Sequence, residues 1–168
     1  MYLFIIFYFL YSSHYPLTVK ASNFFDDVEK GDYICRISSF TETEFLGVIK
    51  NLLCEKKNRP PTIDEVEAIL REFNRFISEM GIELHDADAL AIEKPIEPST
   101  IFSLSEKILD SATPFLGKRD KKWHSLKGAD ALHVALAIRV KAESYATFDD
   151  DFRGVSSWIT PIMLSEVY

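Results

Sequence analysis

Residues Gly128 to Phe152, GADALHVALAIRVKAESYATFDDDF, decide the reading of this chain. The stretch opens with one carboxylate, Asp130, at the start of an almost wholly apolar helix. It then passes into a short β-branched and aromatic run that ends on Asp149, Asp150 and Asp151. Apolar helices seldom carry acids, because burying an unpaired ionised carboxylate is costly. A helix of about 14 residues covers roughly 20 Å at 1.5 Å per residue, enough to run down one layer of a domain. The strand that follows climbs back to the edge where the helix began. Asp130 and Asp149 are therefore expected at one edge of a sheet.

Working outward, the same alternation recurs. Pro16 to Lys30 reads as an amphipathic helix on Val19, Phe24, Phe25 and Val28, and Gly31 ends it. Tyr33 to Ser38 is a strand candidate. Thr41 to Cys54 is a helix with Phe45, Leu46, Val48, Ile49, Leu52 and Leu53 apolar. Pro60 and Pro61 break the chain, and Thr62 to Glu65 has the capping-box form that starts a helix running through Phe73 and Phe76 to Gly81. Ile82 to Leu84 suggests a strand, Ser99 to Ser111 a helix, and Trp158 to Thr160 a last short strand. Strands alternating with helices predict an α/β fold whose parallel sheet is covered on both faces. No linker divides it, so residues 1–168 read as a single domain.

Glu44 lies in the first turn of the helix after the Tyr33–Ser38 strand, which puts it at the same sheet edge. Open α/β sheets bind ligands there. Gathered carboxylates repel one another, and a hard cation such as Mg²⁺ or Mn²⁺ relieves the repulsion through oxygen ligation. Phosphodiester hydrolysis is the chemistry most natural to such a site. Each acid also has a plainer reading. The segment TETE, Thr41 to Glu44, has capping-box spacing; Asp130 could complement a helix dipole; the aspartate run could be a solvated turn. His133, one turn from Asp130, reads as a satisfied, partly buried histidine.

Gly117 to Lys127, GKRDKKWHSLK, sets Lys118, Arg119, Lys121, Lys122 and Lys127 against the single acid Asp120, with Trp123 and His124 interleaved. Cations for phosphates beside an aromatic for a base make a single-stranded RNA surface; the alternative is an ordinary solvated loop. The formal net charge of −7 excludes a protein that coats nucleic acid by bulk charge. Cys35 and Cys54 lack metal-ligand spacing and read as reduced thiols of a cytoplasmic chain.

Met1 to Tyr11, MYLFIIFYFLY, is apolar throughout but shorter than the roughly 20 residues of a bilayer span. It lacks the basic start of a signal peptide, the first lysine being Lys20. A buried first strand running into a helix is the expectation, with no membrane partner; a membrane tether is the alternative.

Together, ISSFTETEF, KGADALHVALA and YATFDDDF resemble the PIN-domain ribonucleases, and among them the VapC-type toxins, over essentially the whole chain. The resemblance implies a three-layer α/β/α sandwich around a parallel sheet. It implies Mg²⁺- or Mn²⁺-dependent endoribonuclease activity on RNA, a VapB-like antitoxin as partner, and a homodimer. Matched motif by motif, it makes Glu44, Asp130 and Asp149 the metal-binding acids and Asp151 a further catalytic acid. Thr147 is the accompanying substrate-side hydroxyl, beside Lys121, Lys122 and Trp123 as substrate contacts.

The chain departs from the family at one point. The family opens with a strand ending in Asp, which would align near Leu3 or Phe4, whereas the first acid here is Asp26. Asp26 and Asp27 lie in a later helix and are poor substitutes. The departure leaves a second expectation beside the nuclease: a degenerate, catalytically weak or inactive PIN-like binding module, or an N-terminus altered relative to the working protein.

Overall fold

The computed structural model describes residues 15–85, 98–117 and 120–168. The expected opening strand, the position of the missing acid, and Lys118 and Arg119 lie outside these residues. Six helices and six short strands follow one another: α1 (Tyr15–Glu29), β1 (Arg36–Ser38), α2 (Ser39–Lys57), α3 (Ile63–Glu79), β2 (Glu83–His85), α4 (Pro98–Ser111), β3 (Phe115–Leu116), β4 (Trp123–His124), α5 (Gly128–Arg139), β5 (Ser144–Thr147), β6 (Thr160–Met163) and α6 (Leu164–Val167). A 3-10 turn, Asp150–Val155, separates β5 from β6.

The class is mixed α/β, and its strands form pairs. Among the described residues β1 pairs in parallel with β2, and β5 in parallel with β6. β3 and β4 form an antiparallel hairpin in what the sequence presents as a plain loop. A cavity of about 320 Å³ lies between the two parallel pairs. Ile37 and Ser38 of β1 and Tyr145 and Ala146 of β5 line it, with Thr41 and His133 also in its walls.

Several boundaries differ from the sequence expectation: the first strand is Arg36–Ser38 instead of Tyr33–Ser38, the second Glu83–His85 instead of Ile82–Leu84, and two further differences have a visible cause. The second helix starts at Ser39, because Ser38, the last residue of β1, supplies the cap: its hydroxyl accepts the Thr41 N–H at 3.4 Å. The capping box that is the plainer reading of Thr41–Glu44 is therefore not formed, and Glu44 falls in the second turn. The last strand runs Thr160–Met163 instead of Trp158–Thr160, because Trp158 and Ile159 close a turn onto the carbonyl of Val155. Pro161 sits in this strand, and among the described residues β6 has β5 as its one partner. A residue without an N–H is tolerated on such an edge.

Elsewhere the local chemistry is as the sequence reads. Thr62 and Glu65 close a reciprocal capping box on α3, with Glu65 accepting the Thr62 N–H at 2.8 Å. Gly81 follows α3 at φ +61°, a left-handed conformation that glycine adopts without a Cβ penalty. The core gathers Phe24, Phe25, Phe45, Ile49, Phe73 and Phe76 with Val134, Ala135 and Phe152. Phe45 meets Phe73 at 4.6 Å and Phe25 meets Phe76 edge-on at 4.9 Å between ring centres. α4, with Ile108 fully buried, packs along α5. No helix among the described residues is long and apolar enough to cross a membrane.

Candidate functional site: two acid clusters at the start of α5

Asp130 is the third residue of α5, and its neighbours Ala131, Val134 and Ala135 are buried in the core. The position is partly buried. Its Oδ2 accepts the N–H of Lys127 at 3.1 Å, so the carboxylate caps the backbone at the entry to its own helix. Burial raises the Asp130 pKa above the ordinary carboxylate value; the bond from Lys127 lowers it, and the nearby charge of Asp149 raises it again. The acid is thus both a helix cap and a disfavoured charge, held next to a second acid.

Asp149 reaches this place from the end of β5. Thr147 is only 1% exposed, and its hydroxyl accepts the Asp149 N–H at 3.0 Å. Asp149 Oδ1 in turn accepts the Asp151 N–H at 2.9 Å and starts the 3-10 turn. The aspartate run is therefore a folded turn anchored by Phe152, which is fully buried and stacks on Tyr145 at 4.7 Å. Thr147, expected on the substrate side, instead holds the backbone of the acid segment from beneath.

Glu44 meets α5 one turn deeper than Asp130. Its Oε2 lies 2.6 Å from His133 Nε2, an ion-pair distance between a buried imidazole and a partly exposed carboxylate. Phe40 packs on the same imidazole, 4.7 Å between ring centres. Burial pushes the His133 pKa down, against the opposing pull of Glu44. The imidazole is therefore neutral near pH 7 and donates its Nε2–H to the carboxylate. Buried polar atoms require partners, and that rule was the signal in the sequence for His133: an imidazole on an apolar helix must meet something.

Asp151 belongs to a second cluster. Its Oδ1 lies 2.8 Å from His124 Nδ1, and its Oδ2 lies 3.9 Å from Lys127 Nζ. The other ring nitrogen of His124 lies 2.9 Å from Asp120 Oδ2, and the ring stacks on Phe115 at 5.2 Å. Asp151 first, then Asp120, raises the His124 pKa, against the effect of desolvation. Nothing in the spacing of the sequence shows this pair, because it depends on the β3–β4 hairpin folding over the acid turn. On the outer face of that hairpin Trp123 is 73% exposed beside its cross-strand neighbour Leu116, with Lys121 and Lys122 exposed at its turn.

The structure thus joins Glu44 to His133 and Asp151 to His124 by hydrogen bonds, and sets Asp149 where its charge acts on Asp130. The donors Glu44, Asp130 and Asp149 are hard oxygens, and the repulsion between Asp130 and Asp149 is what a dication relieves. Among the described residues no three His, Cys, Asp or Glu side chains are gathered closely enough to hold a metal ion. In kind, the three carboxylates are donors that Mg²⁺ or Mn²⁺ takes; in position, Glu44 is held by His133.

No family model, no curated protein and no solved structure matches the chain.

Proposed function

We propose that the chain is a metal-dependent endoribonuclease of the PIN class, hydrolysing phosphodiester bonds in single-stranded RNA as the toxin of a VapBC-type pair. The observation that carries the proposal is Asp130: a desolvated carboxyl, repelled by Asp149, at the start of an otherwise apolar helix. Beyond the bond to the Lys127 N–H, the desolvation and the charge of Asp149 work against the fold, and clustered, perturbed acids are characteristic of functional sites. The two parallel strand pairs, β1–β2 joined through α2 and α3 and β5–β6 joined through the 3-10 turn, support a three-layer α/β/α sandwich as the complete architecture.

In this reading Asp130 and Asp149 would hold Mg²⁺ or Mn²⁺, with Glu44 as the third ligand. A bound dication supplies charge neutralisation at the phosphodiester and acidifies water. The chain's own residues do the rest. His133 orients the Glu44 carboxylate, as a hydrogen-bonded neighbour commonly orients a metal-ligating acid. Thr147 and Asp151 fix the backbone around Asp149. Lys121 and Lys122 neutralise backbone phosphates, and the exposed Trp123 ring stacks on a base. Exposed apolar positions on the first two helices, Val19 and Leu52, are available for a homodimer or a VapB-like antitoxin.

A second reading, a PIN-like binding module without turnover, is favoured by one observation: Glu44 is committed to His133 and no three-donor group is assembled among the described residues. Calorimetric titration with Mn²⁺ and cleavage of a single-stranded RNA separate the two. Uptake with cleavage supports the nuclease; a folded chain showing neither is the binding module.

A further inference from the structure

A continuous run of hydrogen bonds leads from the end of β5 to the turn of the β3–β4 hairpin. The Asp149 N–H donates to Thr147 Oγ1 at 3.0 Å, and the Asp151 N–H donates to Asp149 Oδ1 at 2.9 Å. Asp151 Oδ1 then meets His124 Nδ1 at 2.8 Å, and His124 Nε2 meets Asp120 Oδ2 at 2.9 Å. Finally Asp120 Oδ1 accepts the Lys122 N–H at 3.1 Å. Every link is within ordinary hydrogen-bond distance. One end of the run is the acid beside Asp130, and the other is the residue next to Trp123.

We propose that His124 is a positioning residue that ties the hairpin carrying Trp123 and Lys122 to the acid segment carrying Asp149, so that an RNA strand gripped on the hairpin is held in register with the acids. The proposal rests on the nuclease reading for its substrate, but the tie itself does not. An imidazole can donate from both nitrogens only as the imidazolium, and a carboxylate faces each nitrogen here. Charge-assisted bonds of this kind are the stronger ones, and both partners are largely shielded, with His124 and Asp151 side chains each 15% exposed. The inner face of the hairpin makes the link and its outer face displays the contacts: His124 pairs with Phe115 across the strands, while Trp123 pairs with Leu116.

A second feature of the hairpin points the same way. Gly117 leaves room for the pair: a Cβ there would lie 2.2 Å from Asp120 Oδ1 and 2.7 Å from His124 Nε2. Any larger residue at 117 must push both side chains off their bonds. Gly117→Ala therefore breaks the tie without removing any member of it.

The test uses His124→Ala, His124→Gln and Gly117→Ala in the full chain, with helicity checked by circular dichroism. Limited trypsin digestion at Lys121 and Lys122 reads hairpin docking with no reference to catalysis. Loss of the tie is expected to speed cutting about tenfold, the factor that corresponds to one charge-assisted hydrogen bond. Steady-state cleavage of a single-stranded RNA with Mn²⁺ reads register. KM is expected to rise about tenfold with kcat within about twofold, because the reacting acids are untouched. If His124→Ala does not fold, His124→Gln and Gly117→Ala carry the comparison. Trypsin rates equal to wild type in the folded variants would overturn the tie. Faster trypsin cutting with unchanged KM would overturn its role in register. A wild-type chain that cleaves no RNA would sink the nuclease reading, and the register claim with it, while the trypsin result would still decide the tie.

Discussion

At the scale of single residues, Asp130 is the most informative side chain. Its pKa is raised in the folded protein, so its contribution to stability is fully present below the ordinary carboxylate value and is lost as pH rises through the folded value. At neutral pH the ionised group therefore burdens the fold. Asp130→Asn keeps an oxygen to accept the Lys127 N–H and removes the buried charge. It is expected to raise the melting temperature at pH 7 while lowering Mn²⁺-dependent cleavage by at least about 100-fold. A variant melting lower than wild type would mean the carboxylate is structural. His133 has the opposite sign. Its folded pKa is lowered, so its contribution is present above the unfolded value and lost as pH falls below about 6.5. Thermal melts from pH 7 to pH 5 should show that loss, and a smaller one in His133→Gln, which keeps a donor for Glu44; equal slopes would refute the assignment. Asp130 was legible from the sequence as an acid on an apolar helix. The partner of His133 was not, because Glu44 lies 89 positions away and only tertiary packing joins them.

At the scale of elements, two segments with capping-box spacing had different outcomes. Thr62–Glu65 forms its box, since Pro60 and Pro61 leave nothing upstream to compete. Thr62→Ala is expected to cost about 1 kcal/mol in urea unfolding, and a loss below about 0.3 kcal/mol would show the cap idle. Thr41–Glu44 loses to Ser38, because pairing of β1 with β2 ends at Ser38 opposite His85 and delivers that hydroxyl to the helix first. A tertiary register overrode a local pattern. The β3–β4 hairpin was unreadable for a related reason: its two-residue strands are too short for any alternation to register. Its pH response is readable from the structure. Asp120, Asp151 and Lys127 are the charges facing His124, and the two acids raise its pKa. Docking of the hairpin is therefore strongest below the ordinary histidine value and weakens as pH rises through the folded one. Trypsin cutting at Lys121 and Lys122, corrected for the enzyme's own pH profile, should accelerate from pH 6 to pH 8.5 in wild type and stay flat in His124→Gln. A flat wild-type profile would contradict this.

At the scale of the whole molecule, the core was read closely from periodicity. Phe24, Phe25, Phe45, Phe73 and Phe76 are buried as expected, whereas Val19 and Leu52 remain exposed because α1 and α2 carry more apolar positions than one buried face accommodates. The parallel pairing was legible from the alternation of helices and strands, although the pairs found among the described residues are narrower than a full sheet. What that frame does is set Asp130 at the start of α5 where the charge of Asp149 acts on it, with Glu44 held one turn along by His133. The nuclease proposal requires this arrangement to be a hydrolytic site. Cleavage of a single-stranded RNA by the purified chain with Mn²⁺, run beside Asp130→Asn and an EDTA control, tests it most directly. The expected result is fragments from wild type with Mn²⁺, and none with EDTA or from the folded Asp130→Asn variant. Equal cleavage by wild type and variant, or no cleavage by a folded wild-type chain that also takes up no Mn²⁺, would contradict it.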